Sequence, residues 1–399
     1  MSARESVAKN AVAGTRRIGP HLLFFAVYAG YNLLGLLDMP WSMSGAYDKA
    51  LCWELFVSGA SGFALGWLLF GNRTYAHVEK AFPERTSRQL SMVFAALFAG
   101  CIGITVVTNG GIPLLMGEAR FGNSALVSNL APLYGFWLLV RTISDKENGR
   151  RVSPVQPVLY VAGILLLGYR SPVLAFVAVY FVYLMMFLLT GRKALMVSVL
   201  AGALLIGFSA ALAFFRVAQT YDVDRFFTNI DFRFIADHRY LLPFAPALSM
   251  FDYSQNTIAT IGAALHDHKY GELLLSNYKT FLPGRHWGAR NIIGDIVGAR
   301  WVDGHPMSIT PTLQGALYVD FGHAGVFAGF FVIAFGIARL HAFSLRNGVI
   351  AKFSFCYLMT LLLMSIHSGY WDVNFIFFLL FLGAVWTFDY LKKLGGVRC

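Results

Sequence analysis

The chain has 399 residues, 57% of them hydrophobic, 16% aromatic and only 13% charged, with a mean hydropathy of +0.59. That composition excludes a water-soluble globule folded about a single core. The formal charge of +11 is not a nucleic-acid footprint, because most of the excess lies in short connections between apolar runs, where it reports topology.

Apolar runs long enough to cross about 30 Å of hydrocarbon at about 1.5 Å per residue lie at 19–38, 50–70, 89–108, 124–142, 154–169, 172–190, 193–216, 312–338, 350–367 and 373–391. The reading is an all-α polytopic membrane protein of about ten transmembrane helices. The run at 19–38 is of spanning length and lacks a small-residue cleavage site, so it is read as a retained first helix and not as a signal peptide. Between 154–169 and 172–190 the break is only Tyr169, Arg170, Ser171 and Pro172, and one long kinked helix is the alternative there. Charge placement selects two helices. With a cytoplasmic amino terminus and every run crossing, the inner segments hold 20 of the 32 Lys and Arg residues, and the short outer loops hold only Lys49, Arg120 and Arg170. Both termini then face the cytoplasm and the long segment between 216 and 311 faces outward, into the periplasm of a bacterium with an outer membrane.

The chain divides accordingly into 1–216 with helices one to seven, 217–311 as one large outer loop, and 312–399 with helices eight to ten. No internal repeat relates the two halves, which weakens a transporter reading. Ser58, Gly59, Ala60, Ser61 and Gly62 form a small-residue face suited to close helix packing. Inside the loop, 248–265 reads as a helix lying on the membrane or against the bundle, and 277–311 reads as irregular chain suited to lining a site. The loop's acidic and basic residues nearly balance, so local pairing decides which arginines are free. Cys52, Cys101, Cys356 and Cys399 stand apart from one another in sequence, which indicates neither a disulfide frame nor a thiolate metal site.

Three constellations suit anionic lipid headgroups. In Thr108–Phe121 two glycines and a proline make a turn that delivers Arg120; Gly168-Tyr169-Arg170-Ser171-Pro172 is a tight hairpin; and within 21 residues of the loop stand Arg285, His286, Arg290, Arg300 and His305. Arginine pairs phosphate in a bidentate way and stays charged, whereas histidine takes a proton near neutral pH, so the division of labour is His as base and Arg as charge stabiliser. The plain alternatives are snorkelling for Arg120 and Arg170 and ordinary loop hydrogen bonding for either histidine. Asp320 and His323 fall on one face of the eighth helix, as a structural or catalytic pair, and apart from them the spans hold few charges. His367 to Asp372 could close the same site, although Tyr and Trp there also fit an interfacial belt. Asp222 and Asp224 make a weak DxD. No HExxH, thiolate cluster or Walker-type glycine loop occurs, so no metal or nucleotide cofactor is expected.

Taken together, GGIPLLMGEARF, GYRSP before a span, a large loop with GRHWGAR, and TPTLQGALYVDFGHAGVFAGFF resemble the Wzy-type oligosaccharide repeat-unit polymerases of bacterial polysaccharide synthesis. The resemblance implies a glycosyltransferase C-like membrane enzyme that needs no metal, no cofactor and no nucleotide sugar. It implies a lipid-linked oligosaccharide donor and acceptor on undecaprenyl diphosphate, the outer face of the bacterial inner membrane, and a chain-length regulator and a flippase as partners. It assigns Arg120, Arg170, Arg285, Arg290 and Arg300 to the diphosphates and His305 to the base, with His286 in reserve. The O-antigen ligases share much of this plan, and transfer to another lipid acceptor is the nearest alternative; a transporter without enzymatic activity is the other.

Overall fold

The computed structural model describes residues 19–37, 47–71, 84–115, 130–169, 171–190, isolated positions between 193 and 211, then 238, 240, 244–280, 286–301, 304–371 and 374–394. Among these residues the chain is helical apart from turns and one isolated bridge between Arg300 and Pro306. The helices are α1 (Pro20–Leu36), α2 (Ala50–Phe70), α3 (Glu84–Asn109), α4 (Pro132–Glu147), α5 (Val155–Leu166), α6 (Ser171–Tyr183), α7 (Ala245–Ala264), α8 (Glu272–Lys279), α9 (Ala289–Ile296), α10 (Thr312–Arg346), α11 (Val349–Ser368) and α12 (Asn374–Leu394), with a π-helical turn at Leu184–Leu188 extending α6. Among the described residues five stretches are long and apolar enough to cross a membrane: Ala50–Phe70, Gln89–Asn109, Ser171–Leu188, Thr312–Arg346 and Val349–Ser368. Pro20–Leu36, Val155–Leu166 and Phe375–Phe388 are apolar but shorter. The described residues are all-helical, as a polytopic membrane protein requires.

Several expected runs coincide with these helices. The run at 124–142 appears later, as α4, with Pro132 in its first turn, where proline's fixed φ suits a helix start and its missing N–H costs nothing. The short break before α6 separates it from α5, and Gly168 supplies the turn with φ at 79°. The run at 193–216, the DxD and the start of the loop fall largely outside the described residues.

The bundle centres on α10 lying along α2. Gly59, Gly62 and Gly66 of α2 form the seam: a Cβ at Gly62 would run into the Phe327 carbonyl, and one at Gly66 would lie 2.8 Å from Ala334 Cβ. Small residues thus let two backbones approach closely where lipid provides no hydrophobic drive between helices. Around the seam, Phe24, Phe63 and Phe330 are fully buried. A second aromatic group, Trp137, Phe353, Phe378 and Phe381, fills the space among α4, α11 and α12.

Several buried polar groups are tied in pairs and chains, as apolar surroundings favour. Tyr28 donates to Gln314 Oε1 at 2.7 Å, and Gln314 Nε2 and Gln255 Nε2 both donate to Asn32 Oδ1, at 2.8 and 3.0 Å. Tyr31 Oη lies 2.6 Å from Ser254 Oγ and 2.7 Å from His367 Nδ1. These bonds fix α7 against α1, α10 and α11, so the helix expected at 248–265 is part of the bundle. Lys352, one of the basic residues that charge placement assigns to the cytoplasmic segments, has a side chain only 1% exposed and pairs with Glu147, which also accepts from Tyr183 Oη at 3.0 Å. The expectation that Asp320 and His323 are the main buried charges is corrected accordingly.

Candidate functional site

At one end of the bundle α7, α8, α9 and the first turns of α10 enclose a small apolar core of Ile261, Leu273, Ala289, Ile293, Ile309, Ala316 and Val319. Asp320 fixes α8 to α10. Fully buried, its carboxylate accepts from Leu273 N at 3.0 Å and Leu274 N at 3.1 Å, capping the positive end of α8. The backbone adds two bonds, Lys269 N to Val319 O and Tyr270 N to Asp320 O, each 2.9 Å. Tyr370 Oη donates to Ala316 O at 3.3 Å, and its phenol is pushed well above the ordinary tyrosine range, by burial first and then by the nearby Asp320 carboxylate.

His323 does not share that face. Gly322 has φ 69° and ψ −163°, which breaks α10 into two segments, and a Cβ there would come within 3.0 Å of His268 Nε2. Only glycine adopts this conformation without strain. Beyond the break His323 is half exposed and faces Glu54 at 3.1 Å, so the expected Asp320–His323 pair is replaced by two separate roles, a helix cap and a surface ion pair.

From α8, Asn277 reaches two ways: its Nδ2 donates to Trp371 O at 3.2 Å, and its Oδ1 accepts from Ala289 N at 2.8 Å. The start of α9 is thereby held beside Trp371, with Arg290 as the second residue of that helix. Arg290 accepts Ile309 N on its carbonyl at 3.0 Å; its half-buried guanidinium makes no ion pair or hydrogen bond with another described residue. After α9 the chain turns back on itself, with Met307 N to Ala299 O and Trp301 N to His305 O at 2.8 Å each. Gly294 permits the return, since a Cβ there would strike the Met307 carbonyl.

His305 sits exposed on this hairpin beside Arg300. Arg300 is ion-paired to Asp295 and donates to Gly304 O at 3.1 Å, so its charge is already matched. His286 is exposed just before α9. The structure therefore brings His286, Arg290, Arg300 and His305 onto one loop unit, while Arg120, Arg170 and Arg285 lie outside the described residues. No three His, Cys, Asp or Glu side chains among the described residues gather as a metal site.

Two cavities flank α11. A small one of about 200 Å³ lies among α4, α5, α6 and α11, and the hairpin residues Tyr169 and Ser171 close one side of it. A larger apolar groove of about 720 Å³ runs beside α10 and ends at Leu274, Tyr278, Tyr370 and Trp371. Asn277 ties Trp371, one of its lining residues, to the start of α9. Sequence reading missed the groove, although the spacing of Ala324, Gly325, Ala328, Gly329 and Gly336 was a usable signal for a face without bulky side chains.

Among the described residues the protein is thus a helical bundle with an apolar groove beside α10 and, at one end, a loop unit that bears arginine and histidine. The chain belongs to the O-antigen polymerase family, whose description reads "Putative O-antigen polymerase" and which matches residues 18–379. No curated protein and no solved structure matches it. The family places the chain in polysaccharide biosynthesis as a membrane polymerase of the glycosyltransferase kind.

Proposed function

We propose that the chain polymerises oligosaccharide repeat units carried on undecaprenyl diphosphate, at the periplasmic face of the inner membrane and without a metal. The observation that carries this reading is that Asn277 ties Trp371, which lines the apolar groove, to the start of the helix that bears Arg290, so that the tail and the diphosphate of one lipid-linked sugar would each meet suitable chemistry. In this reading the chain has ten spans with both termini cytoplasmic, and 217–311 is the periplasmic loop unit.

The reaction is a glycosyl transfer. The bond between the donor's anomeric carbon and the diphosphate oxygen breaks, and the diphosphate leaves with the electron pair. The acceptor's sugar hydroxyl forms the new bond to that carbon, and its proton passes to His305, with His286 as the alternative base. Arg290, joined by Arg120, Arg170 and Arg285, stabilises the charge that develops on the departing diphosphate. Arg300 acts one step removed, holding the hairpin of His305 through Asp295. A base placed at the acceptor hydroxyl contributes roughly 10² to 10⁴ in rate.

The test is to incubate the purified protein in nanodiscs with a lipid diphosphate-linked repeat unit and EDTA, and to separate the products on a gel. A ladder at repeat-unit spacing is the expected result. Transfer only when a second lipid acceptor is supplied would mean a ligase, and neither product from an intact substrate would return the transporter reading.

A further inference from the structure

The smaller cavity, of about 200 Å³, starts at the first turns of α4 and α6. It runs inward from Pro132 to Leu139 on α4 and from Ser171 to Val179 on α6, so its walls are about 10–12 Å long at about 1.5 Å per residue. Access is from the hairpin side. Ser171 is exposed and Tyr169 and Pro172 are half-buried, whereas Leu139, Tyr160, Val179 and Tyr357, further in, are at most 2% exposed.

Tyr160 gives the cavity its chemistry. Its phenol tip rests on Gly135, where a Cβ would come 2.5 Å from Oη, so the hydroxyl lies about one helical turn in from Pro132. Tyr160 is 1% exposed, and its hydroxyl makes no hydrogen bond with another described residue. That oxygen is nevertheless not sealed, unlike Gln255 Oε1 and His268 Nδ1; the little of Tyr160 that is exposed is its hydroxyl, on the cavity. Beyond it the walls are mainly apolar, with Phe136, Leu139, Phe176 and Val179, and no charged side chain lines the cavity among the described residues. A phosphate or carboxylate there would meet no counter-charge. A hydrocarbon tail would leave the Tyr160 hydroxyl buried and unpaired, and a bare sugar ring would carry several hydroxyls to walls that cannot pair them. An acetyl group suits both parts: its carbonyl accepts from Tyr160 Oη, its methyl lies among the apolar side chains beyond, and the sugar that bears it stays at the hairpin end beside Tyr169 and Ser171.

We propose that this cavity recognises an acetyl substituent, amide or ester, on one sugar of the lipid-linked substrate, with Tyr160 as the specificity-determining residue. The proposal rests on the polymerase reading above for the sugar and adds to it the group that is recognised. Saturation-transfer NMR on the intact protein in nanodiscs would measure binding of the methyl glycosides of N-acetylglucosamine, 6-O-acetylglucose and glucose. An acetylated glycoside is expected to bind about tenfold more tightly than the plain one, with its acetyl methyl receiving the strongest transfer; which of the two does so tells amide from ester. Tyr160→Phe should remove most of that preference, because it deletes the donor and keeps the ring. Ala175→Phe fills the cavity from its lining and should abolish binding, and Ala175→Leu serves if that variant does not fold. Val177→Phe, on the same helix but 38% exposed and outside the lining, leaves binding unchanged. Equal binding of the three glycosides by wild type, or binding of none, overturns the proposal, as does an acetyl preference that survives in folded Tyr160→Phe or in a folded Ala175 variant. Acetyl-selective binding by a protein that makes no ladder overturns the polymerase reading and leaves the acetyl site standing; a ladder without that selectivity does the reverse.

Discussion

Replacing Asp320 by alanine tests whether the loop unit is held to α10 by a single buried carboxylate. Two backbone N–H groups, those of Leu273 and Leu274, lose a charged acceptor, and hydrogen bonds to charged groups contribute about 1.5–3 kcal/mol each. Leu274 is 41% exposed, so water replaces much of its bond, and Leu273, fully buried, bears most of the loss. The opening of α8 should then become easier by about 3 kcal/mol, which is about 100-fold in amide protection. Hydrogen exchange read by mass spectrometry over 269–280 measures this directly in detergent or nanodiscs. Asp320→Asn keeps one acceptor and should lose less. Chain growth should fall with protection, because Asn277 passes the position of α8 on to α9 and Arg290. Protection within about threefold of wild type in Asp320→Ala would refute the capping argument, and full activity with α8 exposed would refute the claim that α8 positions the site.

Arg290→Ala should abolish chain growth while the protein still inserts. Arg300→Ala should lower hairpin protection and cost less activity, since Asp295 already matches its charge; equal losses in a product-ladder assay would count against that distinction. Arg170→Ala and Arg285→Ala are expected to behave as Arg290→Ala does. Gly62→Leu forces a side chain into the Phe327 carbonyl and should destabilise the α2–α10 seam by about 1–3 kcal/mol, whereas Gly100→Leu, where a Cβ meets nothing within 4 Å, should not; thermal unfolding in detergent compares them. Lys352→Met leaves Glu147 without its buried partner and should cost about 3–5 kcal/mol, with much of it recovered in Lys352→Met/Glu147→Gln. Tyr370 has a raised folded-state pKa, so its contribution is fully present below the ordinary tyrosine value near 10 and is lost as pH rises toward the folded value. The stability gap between wild type and Tyr370→Phe should shrink only above pH 10.

Much of the bundle was legible because apolar run length is a direct physical requirement of a spanning helix, and α2, α10 and α11 coincide with expected runs. The glycine face at Ser58–Gly62 was read as packing and is packing. What sequence could not supply was pairing across distance. Lys352 looked like a flanking surface charge, yet its partner Glu147 lies on another helix; Asp320 and His323 looked like helix neighbours, because apolar periodicity runs through Gly322 and gives no sign of the break. Arg300 could have been discounted from sequence, since Asp295 stands five residues away at the other side of a glycine turn. The site arginines at 120, 170 and 285 stay sequence expectations, and Arg290 is the one that geometry singles out.

The break at Gly322 gives the motif from Thr310 to Phe331 a physical meaning that a continuous helix would lack. Before it, Ala316, Val319 and Asp320 belong to the loop unit, as core residues and as a cap, while Leu313, Leu317 and Phe321 face the groove; after it, Ala324, Gly325, Ala328 and Gly329 line the groove. One helix therefore carries both the support for the cationic residues and the wall of the apolar groove, and the relative placement of head and tail is set by a single glycine's backbone angles. A side chain at Gly322 would strain that junction and press on His268, moving Arg290 relative to the groove without removing any residue that meets substrate. Loss of chain growth in Gly322→Ala, with both ends of α10 still folded, is the consequence this arrangement requires.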